Sequence, residues 1–316
     1  MQQFLSVHDV DDPHQLVREA LDLKSSPYAY ESLGKHKRLL MLFFNPSLRT
    51  RLSTEVAAQQ LGMHVISMNA SEGWKLELAD GSVMRGDTAE HVREAAGVIG
   101  QYADIIAVRS FPGLVDREQD YADTLMKAFV RHTGKPVISL ESATRHPLQS
   151  LADWMTILEH QPRQRPKVVL SWAPHPRALP QAVPNSFAEW MQVADVDFYI
   201  THPPGYELDP QFTGHTPVLY DQREAFAEAD FIYAKNWSPL TPYGQVVNQD
   251  PDWMISADKM AGTRNAKFMH CLPVRRNVVV SDAVLDGGNS VVLQQAHNRV
   301  FAAQAVLRRM LLAAGR

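Results

Sequence analysis

The sequence predicts an α/β chain of two doubly wound parallel-sheet domains, with ligands held in a crevice between them. Three observations lead there. Short apolar runs rich in β-branched residues alternate with longer segments of helical periodicity, which is the pattern of parallel βαβ units. At 316 residues the chain is long enough for two cores of ordinary size. Polar residues also gather where the strand candidates end, and open α/β sheets hold ligands beyond the carboxyl ends of their strands.

The strand candidates of the first half are 38–44, 64–68, 104–108 and 136–140; those of the second are 167–171, 197–200, 230–233, 267–270 and 290–293. Leu39-Leu40-Met41-Leu42 and Ile105-Ile106-Ala107-Val108 are the clearest apolar runs. Helices are expected at 48–61, 88–102, 121–132 and 147–159, the second started by a capping box of Asp87 and Glu90. Ala296, Val300, Ala303, Leu307 and Met310 share one face at helical spacing, so the chain ends in an amphipathic helix. Domains are expected at 1–145 and 146–293, with 294–316 packing back onto the first. Two stretches fit no regular element: 173–184 carries four prolines, and 236–253 is long with several Pro, Gly and Asn residues. Proline stiffens a loop and blocks strand pairing, and long ordered loops are usually functional.

Lys plus Arg number 31 against 35 Asp plus Glu, a balance of −4 that gives no reason to expect nucleic acid or an anionic membrane as partner. A small anionic substrate stays open. The one cysteine, Cys271, excludes an internal disulfide and a multi-cysteine metal site. The stretch MQQFLSVHDVDDPHQ has no basic region followed by an apolar one, and no window approaches the ~18 apolar residues of a membrane span, so a cytoplasmic protein is expected.

The segment FFNPSLRTR, residues 43–51, leaves a strand candidate through a polar turn into a helix. Unpaired N–H groups and the positive dipole end at Ser47-Leu48-Arg49-Thr50 could wrap an anion such as phosphate; an N-cap serine followed by surface arginines explains the same residues. Other strand exits offer Arg109, Glu141 with His146-Pro147-Leu148-Gln149, Lys235, and His270-Cys271-Leu272-Pro273 with Arg275. Each has a plain structural reading: His146 as a helix cap, Gln149 as a solvated first-turn residue, Cys271 as a small buried apolar group. Their common placement at strand exits favours one site.

Together S-x-R-T at 47–50, H-P-x-Q at 146–149 and H-C-L-P at 270–273 resemble the transcarbamylase family, over essentially the whole chain and closer to its ornithine branch. The resemblance implies that an amine attacks the carbonyl carbon of carbamoyl phosphate, with no cofactor, metal or covalent intermediate. Ser47, Leu48, Arg49, Thr50, Arg109 and Arg299 would hold phosphate; Thr50, Arg109 and His146 would contact the carbonyl oxygen; Gln149 and the carbonyls of Cys271 and Leu272 would orient the carbamoyl NH₂. Arg49, Arg109, His146, Gln149 and Cys271 are the catalytic candidates. Because they sit at strand exits, replacing Arg109 is expected to leave stability unchanged.

The S-M-G segment and aspartate expected to hold a free α-ammonium are missing; Ala234-Lys235-Asn236-Trp237 stands there instead. A lysine repels an α-ammonium, which suggests a substrate whose α-amine is blocked. The chain is therefore similar to the branch that uses N-acylated ornithine in arginine biosynthesis. In that branch a tryptophan loop, here Gly73-Trp74-Lys75 with Trp74 as a carbamoyl phosphate-binding candidate, reaches into a neighbouring subunit of a homotrimer, and the loops at 173–184 and 236–253 form a trefoil knot. Acetyl-using relatives carry Glu at the position of Ala89 and succinyl-using ones Pro. Ala89 leaves that corner uncharged, which favours a succinyl group, with Glu141, His175, Arg177, Lys235 and Arg275 as further substrate-binding candidates.

Overall fold

The computed structural model describes residues 1–70 and 74–314; Gly73 and the last two residues lie outside them. Two compact units make up the chain, one of Met1–Gly113, Glu118–Leu148 and Arg299–Arg316, the other of Leu114–Arg117 and Gln149–Asn298.

The first unit is built from β1 (Gln3–Phe4), α1 (Pro13–Ser25), β2 (Arg38–Phe43), α2 (Leu48–Gln60), β3 (His64–Asn69), β4 (Leu76–Glu77), β5 (Glu90–His91), α3 (Val92–Tyr102), β6 (Ile105–Arg109), α4 (Arg117–Ala122), α5 (Thr124–His132) and β7 (Val137–Glu141). Its sheet is parallel in the order β1-β7-β6-β2-β3. Every residue of β6 and β7 is buried, as are Leu39–Phe43 of β2, because a parallel sheet covered on both faces needs unbroken apolar strands. After the two-residue edge strand β1, the chain enters the body of this sheet at β2, lays β3 on one side and returns to place β6 on the other. The gap opened by that reversal lies at the carboxyl ends of β2 and β6, where Phe43 pairs with Arg109.

The second unit repeats the plan. After α6 (Pro147–His160) come β8 (Lys167–Trp172), α7 (Ala182–Met191), β9 (Asp197–Thr201), α8 (Pro210–Thr213), β10 (Val218–Leu219), α9 (Gln222–Phe226), β11 (Phe231–Lys235), α10 (Ala257–Ala261), β12 (Lys267–Met269), α11 (Asp282–Leu285) and α12 (Val292–Ala314). The parallel order β10-β9-β8-β11-β12 again starts in the middle, so its reversal lies between β8 and β11, where Lys235 pairs with Trp172. The proline-rich and long loops leave from these two strand ends and are tied together. Asn236 Nδ2 donates to the Ala173 carbonyl at 2.7 Å, Ser238 N to Leu179 at 2.9 Å, and Gln181 Nε2 to Ser238 at 2.8 Å.

The expected strands 38–44 to 267–270 are present with ends shifted by a residue or two, but 290–293 is not a strand. Ser290 makes one isolated bridge to Phe268, and the helical pattern takes over at Val292. The helix expected over 121–132 is broken at Asp123 (φ 47°), whose carboxylate is drawn off to accept from Ser142 Oγ (2.9 Å), Ala143 N (3.0 Å) and Thr144 Oγ1. Proline 184 falls in the first turn of α7, where its missing N–H costs no helical bond, so the irregular stretch ends earlier than expected.

The capping box of Asp87 and Glu90 does not form. Asp87 pairs with Lys75, Glu90 lies in the short ladder with Leu76 and accepts the Trp74 indole N–H at 3.0 Å, and α3 is capped instead by His91, whose Nδ1 accepts from Arg93 N. Tertiary partners outcompeted the local cap.

Where α3 crosses the end of α5, Gly100 lies against the Thr133 backbone, and a Cβ there would collide with the Thr133 carbonyl. Alanine favours a helix over glycine by ~1 kcal/mol, but a clash with backbone cannot be relieved by a rotamer and overpacking costs ~1–3 kcal/mol. Gly100→Ala should therefore destabilise the protein, lowering its urea midpoint; a raised midpoint would show that the two helices can part without cost.

Candidate active site

The carboxyl edge of the first sheet collects charge out of proportion to its burial. Between β6 and β7 the register slips after Val108, so that Arg109 stands opposite Glu141 instead of the next residue in line. The slip aims two ionic side chains at each other: Arg109 Nη1 lies 2.5 Å from Glu141 Oε2, with 7% and 6% of the two residues exposed. The same carboxylate oxygen faces His146 Nε2 at 3.6 Å, and Phe111 covers the guanidinium at 4.4 Å.

From the other side comes α2. Ser47 sits at its N-cap with extended backbone (φ −154°, ψ 125°), yet its hydroxyl makes no capping bond, so the simple N-cap reading does not account for it. Leu48 is exposed, Arg49 half-buried and Thr50 buried. Thr50 Oγ1 accepts from Arg109 Nη1 at 3.3 Å and from Arg299 Nη2 at 2.6 Å, and Arg299 reaches His146 Nε2 at 3.4 Å. Five of the predicted residues, Thr50, Arg109, Glu141, His146 and Arg299, thus form one buried cluster beside the first turn of α2. Glu141, expected among the residues for the amine substrate, is committed here to Arg109 and His146.

That geometry changes one expectation. Arg109 is a buried ion-pair partner, and removing one partner of such a pair typically costs ~3–5 kcal/mol. Loss of activity in Arg109→Ala would come with loss of stability.

Trp74 and Ala89 lie on the loops beside α3. Trp74 is half-buried with its indole on Glu90; Ala89 is exposed and tied by its N–H to the Lys75 carbonyl at 2.8 Å.

In the second unit Gln149 and Cys271 are buried. Gln149 Nε2 donates to Asp153 Oδ1 at 2.7 Å, which leaves its Oε1 buried without a hydrogen-bond partner among the described residues. Beyond Cys271 the chain turns through Leu272 at φ 56°, a left-handed conformation unusual for leucine, with Leu272 N donating to His270 Nδ1 at 2.9 Å. Sequence reasoning missed Asp153. Its signal is the spacing from Gln149, four residues on along one helix.

His175, Arg177, Lys235 and Arg275 gather around the reversal of the second sheet. Arg275 Nε donates to His175 Nε2 at 3.0 Å. Since a guanidinium can only donate, Nε2 is the acceptor there; Nδ1 stands 3.1 Å from the Arg177 N–H and makes a hydrogen bond of 2.9 Å with the Arg177 carbonyl. Burial, opposed by that bond and reinforced by the charges of Lys235, Arg275 and Arg177, holds the His175 pKa below its ordinary 6.5. No ion pair takes up Arg177, Lys235 or Arg275 among the described residues. What this arrangement can do chemically is hold a carboxylate.

Residues 2–159 match the family model described as aspartate/ornithine carbamoyltransferase, carbamoyl-P binding domain, and residues 180–310 match its Asp/Orn binding domain. The chain belongs to the aspartate/ornithine carbamoyltransferase family. Within this transcarbamylase family it is 53% identical over 314 residues to an N-succinylornithine carbamoyltransferase of Bacteroides fragilis (strain 638R), covering 98% of this chain and 99% of the relative. Identity to an N-acetylornithine carbamoyltransferase of Xanthomonas axonopodis pv. citri (strain 306) is 36% over 322 residues, covering 94% of each. Among solved transcarbamylases, an N-acetyl-L-ornithine transcarbamylase mutant complexed with carbamyl phosphate and N-succinyl-L-norvaline superposes with a TM-score of 0.90 at 36% identity, over 98% of this chain and 100% of the other. The parallel two-sheet α/β architecture read from the sequence is that of these structures. No helix among the described residues is long and apolar enough to cross a membrane.

The depressed His175 pKa sets a pH dependence. The unfolded chain takes up a proton near pH 6.5 that the folded chain refuses until lower pH, so stability falls as pH drops below about 6.5. Melting temperatures followed from pH 7.5 to 5 should decline more steeply for the wild type than for His175→Gln. Parallel curves would mean that His175 is not the group responsible.

Proposed function

We propose that this chain transfers the carbamoyl group of carbamoyl phosphate to the δ-amine of N-succinyl-L-ornithine, giving N-succinyl-L-citrulline and phosphate, as a step of arginine biosynthesis. The observation that carries the choice of amine is the cluster of Arg177, Lys235, Arg275 and His175 at the carboxyl edge of the second sheet, with no ion pair to its three cations among the described residues. It suits a substrate with carboxylates and no α-ammonium.

In this reading the N–H groups at the start of α2 and the guanidinium groups of Arg49, Arg109 and Arg299 hold the phosphate. Thr50, Arg109 and His146 face the carbonyl oxygen, where negative charge grows as the amine adds to the carbon. Gln149 Oε1 and the carbonyls of Cys271 and Leu272 accept from the carbamoyl NH₂. The tetrahedral adduct collapses by breaking the carbon–oxygen bond to phosphate, which carries off the amine proton. Glu141, through Arg109 and His146, keeps two of the reacting contacts in place before substrate arrives.

Ala89 sets the acyl group in this proposal. Solved N-acetyl-L-ornithine transcarbamylases with a single glutamate replaced by alanine, valine, serine or proline are complexes with N-succinyl-L-norvaline. This fits the idea that a carboxylate excludes the succinyl tail. Two like charges ~4 Å apart at an effective dielectric of ~20 repel by about 4 kcal/mol before screening. Ala89→Glu should therefore lose turnover of N-succinylornithine a hundredfold or more while N-acetylornithine turnover changes little, with the gap shrinking in high salt. The test is product formation from carbamoyl phosphate with ornithine, N-acetylornithine and N-succinylornithine in parallel. Equal loss for both acyl substrates would remove Ala89 from the acyl site, and faster wild-type turnover of N-acetylornithine would favour the acetyl enzyme.

The working form in this proposal is a homotrimer whose sites include Trp74 from a neighbour, and the chain is knotted through the loops 173–184 and 236–253, which support the idea by their mutual hydrogen bonds. The trimer is supported by Leu48, Leu52 and Val56, exposed at successive turns of α2, and by edge strand β3, which exposes Ile66 and Met68. Mixing inactive Trp74→Ala and Arg49→Ala proteins under subunit exchange should restore part of the activity, because some hybrid sites hold both residues. If exchange is demonstrated and no activity returns, each site is built from one chain.

A further inference from the structure

The second unit contains a buried carboxylate that no step of the proposed reaction uses. Asp153 is fully buried on α6, and its Oδ1 accepts two amide donors, Gln149 Nε2 and Gln295 Nε2, each at 2.7 Å. A glutamine amide is nearly symmetric in shape, and only its partners decide which end is oxygen. A carboxylate accepts and does not donate, so both amides must turn nitrogen toward Asp153. The oxygen of each is then forced to the far side. For Gln295 that oxygen accepts from His270 N at 2.9 Å, in the strand exit that leads to Cys271 and Leu272. For Gln149 it is the buried Oε1 that no described residue satisfies. The Tyr233 hydroxyl, fully buried, faces Asp153 and Cys271 from the third side.

We infer that Asp153 is the positioning residue that fixes the direction of the Gln149 amide, presenting an oxygen to the carbamoyl NH₂, and that through Gln295 it fixes the His270–Leu272 turn in the same stroke. This rests on the proposed role of Gln149 in carbamoyl transfer. If the amide were free to turn over, the substrate would meet an N–H in place of an acceptor in part of the molecules. Two donors would then oppose each other in a buried space.

An exchange of donor and acceptor tests the idea with variants of nearly unchanged volume. Gln149→Glu sets two buried carboxylates against each other and removes the donor that Asp153 holds. In the wild type both amides share one oxygen of Asp153; in Asp153→Asn/Gln149→Glu a turn of the asparagine amide about its last torsion brings its nitrogen to the glutamate and keeps its oxygen on Gln295, so an acceptor oxygen again points outward. We expect Gln149→Glu to lower kcat for carbamoyl transfer at least a hundredfold, Asp153→Asn alone to stay within about tenfold of the wild type, and the exchanged pair to recover tenfold or more over Gln149→Glu. Melting temperatures, measured on every variant, should fall in Gln149→Glu and return in the pair.

If the wild type transfers carbamoyl but the pair is no faster than Gln149→Glu, the positioning role of Asp153 is overturned while the proposed function stands. Wild-type turnover in Gln149→Glu overturns both the Gln149 contact and the role of Asp153. Absence of carbamoyl transfer by the wild type to any of the three ornithines removes the functional reading, and the positioning role with it.

Discussion

Apart from the two-residue edge strand β1, both sheets are entered in the middle. A chain that begins a parallel sheet at its centre must lay strands on one side, then return to fill the other, and at the reversal two neighbouring loops leave the carboxyl edge in opposite directions. Nearly everything chemical in this protein stands at those two places. In the first unit the reversal between β2 and β6 sets Arg109 beside the strand that feeds the SLRT turn. In the second, the reversal between β8 and β11 puts Lys235 opposite Trp172 and sends out the loop that bears His175 and Arg177.

The polar groups brought there are buried to a degree that surface charges never reach, which makes them mutually dependent. Arg109, Glu141, His146, Thr50 and Arg299 are linked by short polar contacts, so removing one leaves a desolvated partner. In the second unit the carboxylate of Asp153 does the same for two amides. Such networks keep side chains in one arrangement before a ligand arrives, and a preorganised environment is what stabilises charge that appears only briefly.

The fold was largely legible because uninterrupted apolar runs separated by helical periods have few other solutions. Eight of the nine anticipated strands exist, and 290–293 failed because the three-residue apolar run Val291-Val292-Leu293 at a helix start looks like a strand. The two failures among the helices share another cause. Asp123 breaks a helix for the sake of Ser142, Ala143 and Thr144, and Glu90 leaves a capping box for the Trp74 indole, in each case a partner distant in sequence outbidding a local preference. In the site, the motif residues were readable one by one, but their pairing was not. That Glu141 pairs with Arg109 depends on a register slip no motif announces, and Asp153 stands in no motif.

The last helix imposes an order on synthesis. Residues from Arg299 onward belong to the first unit and supply it with buried Phe301, Ala302, Val306, Leu307 and Met310, while Arg299 meets Thr50 across a separation of 249 residues. On the ribosome the first unit therefore emerges incomplete, and it must wait for the whole second unit to be made before its own core can close. Through that interval Thr50 has Arg109 but lacks Arg299, so the buried cluster beside the first turn of α2 is among the last parts of the newborn chain to be completed.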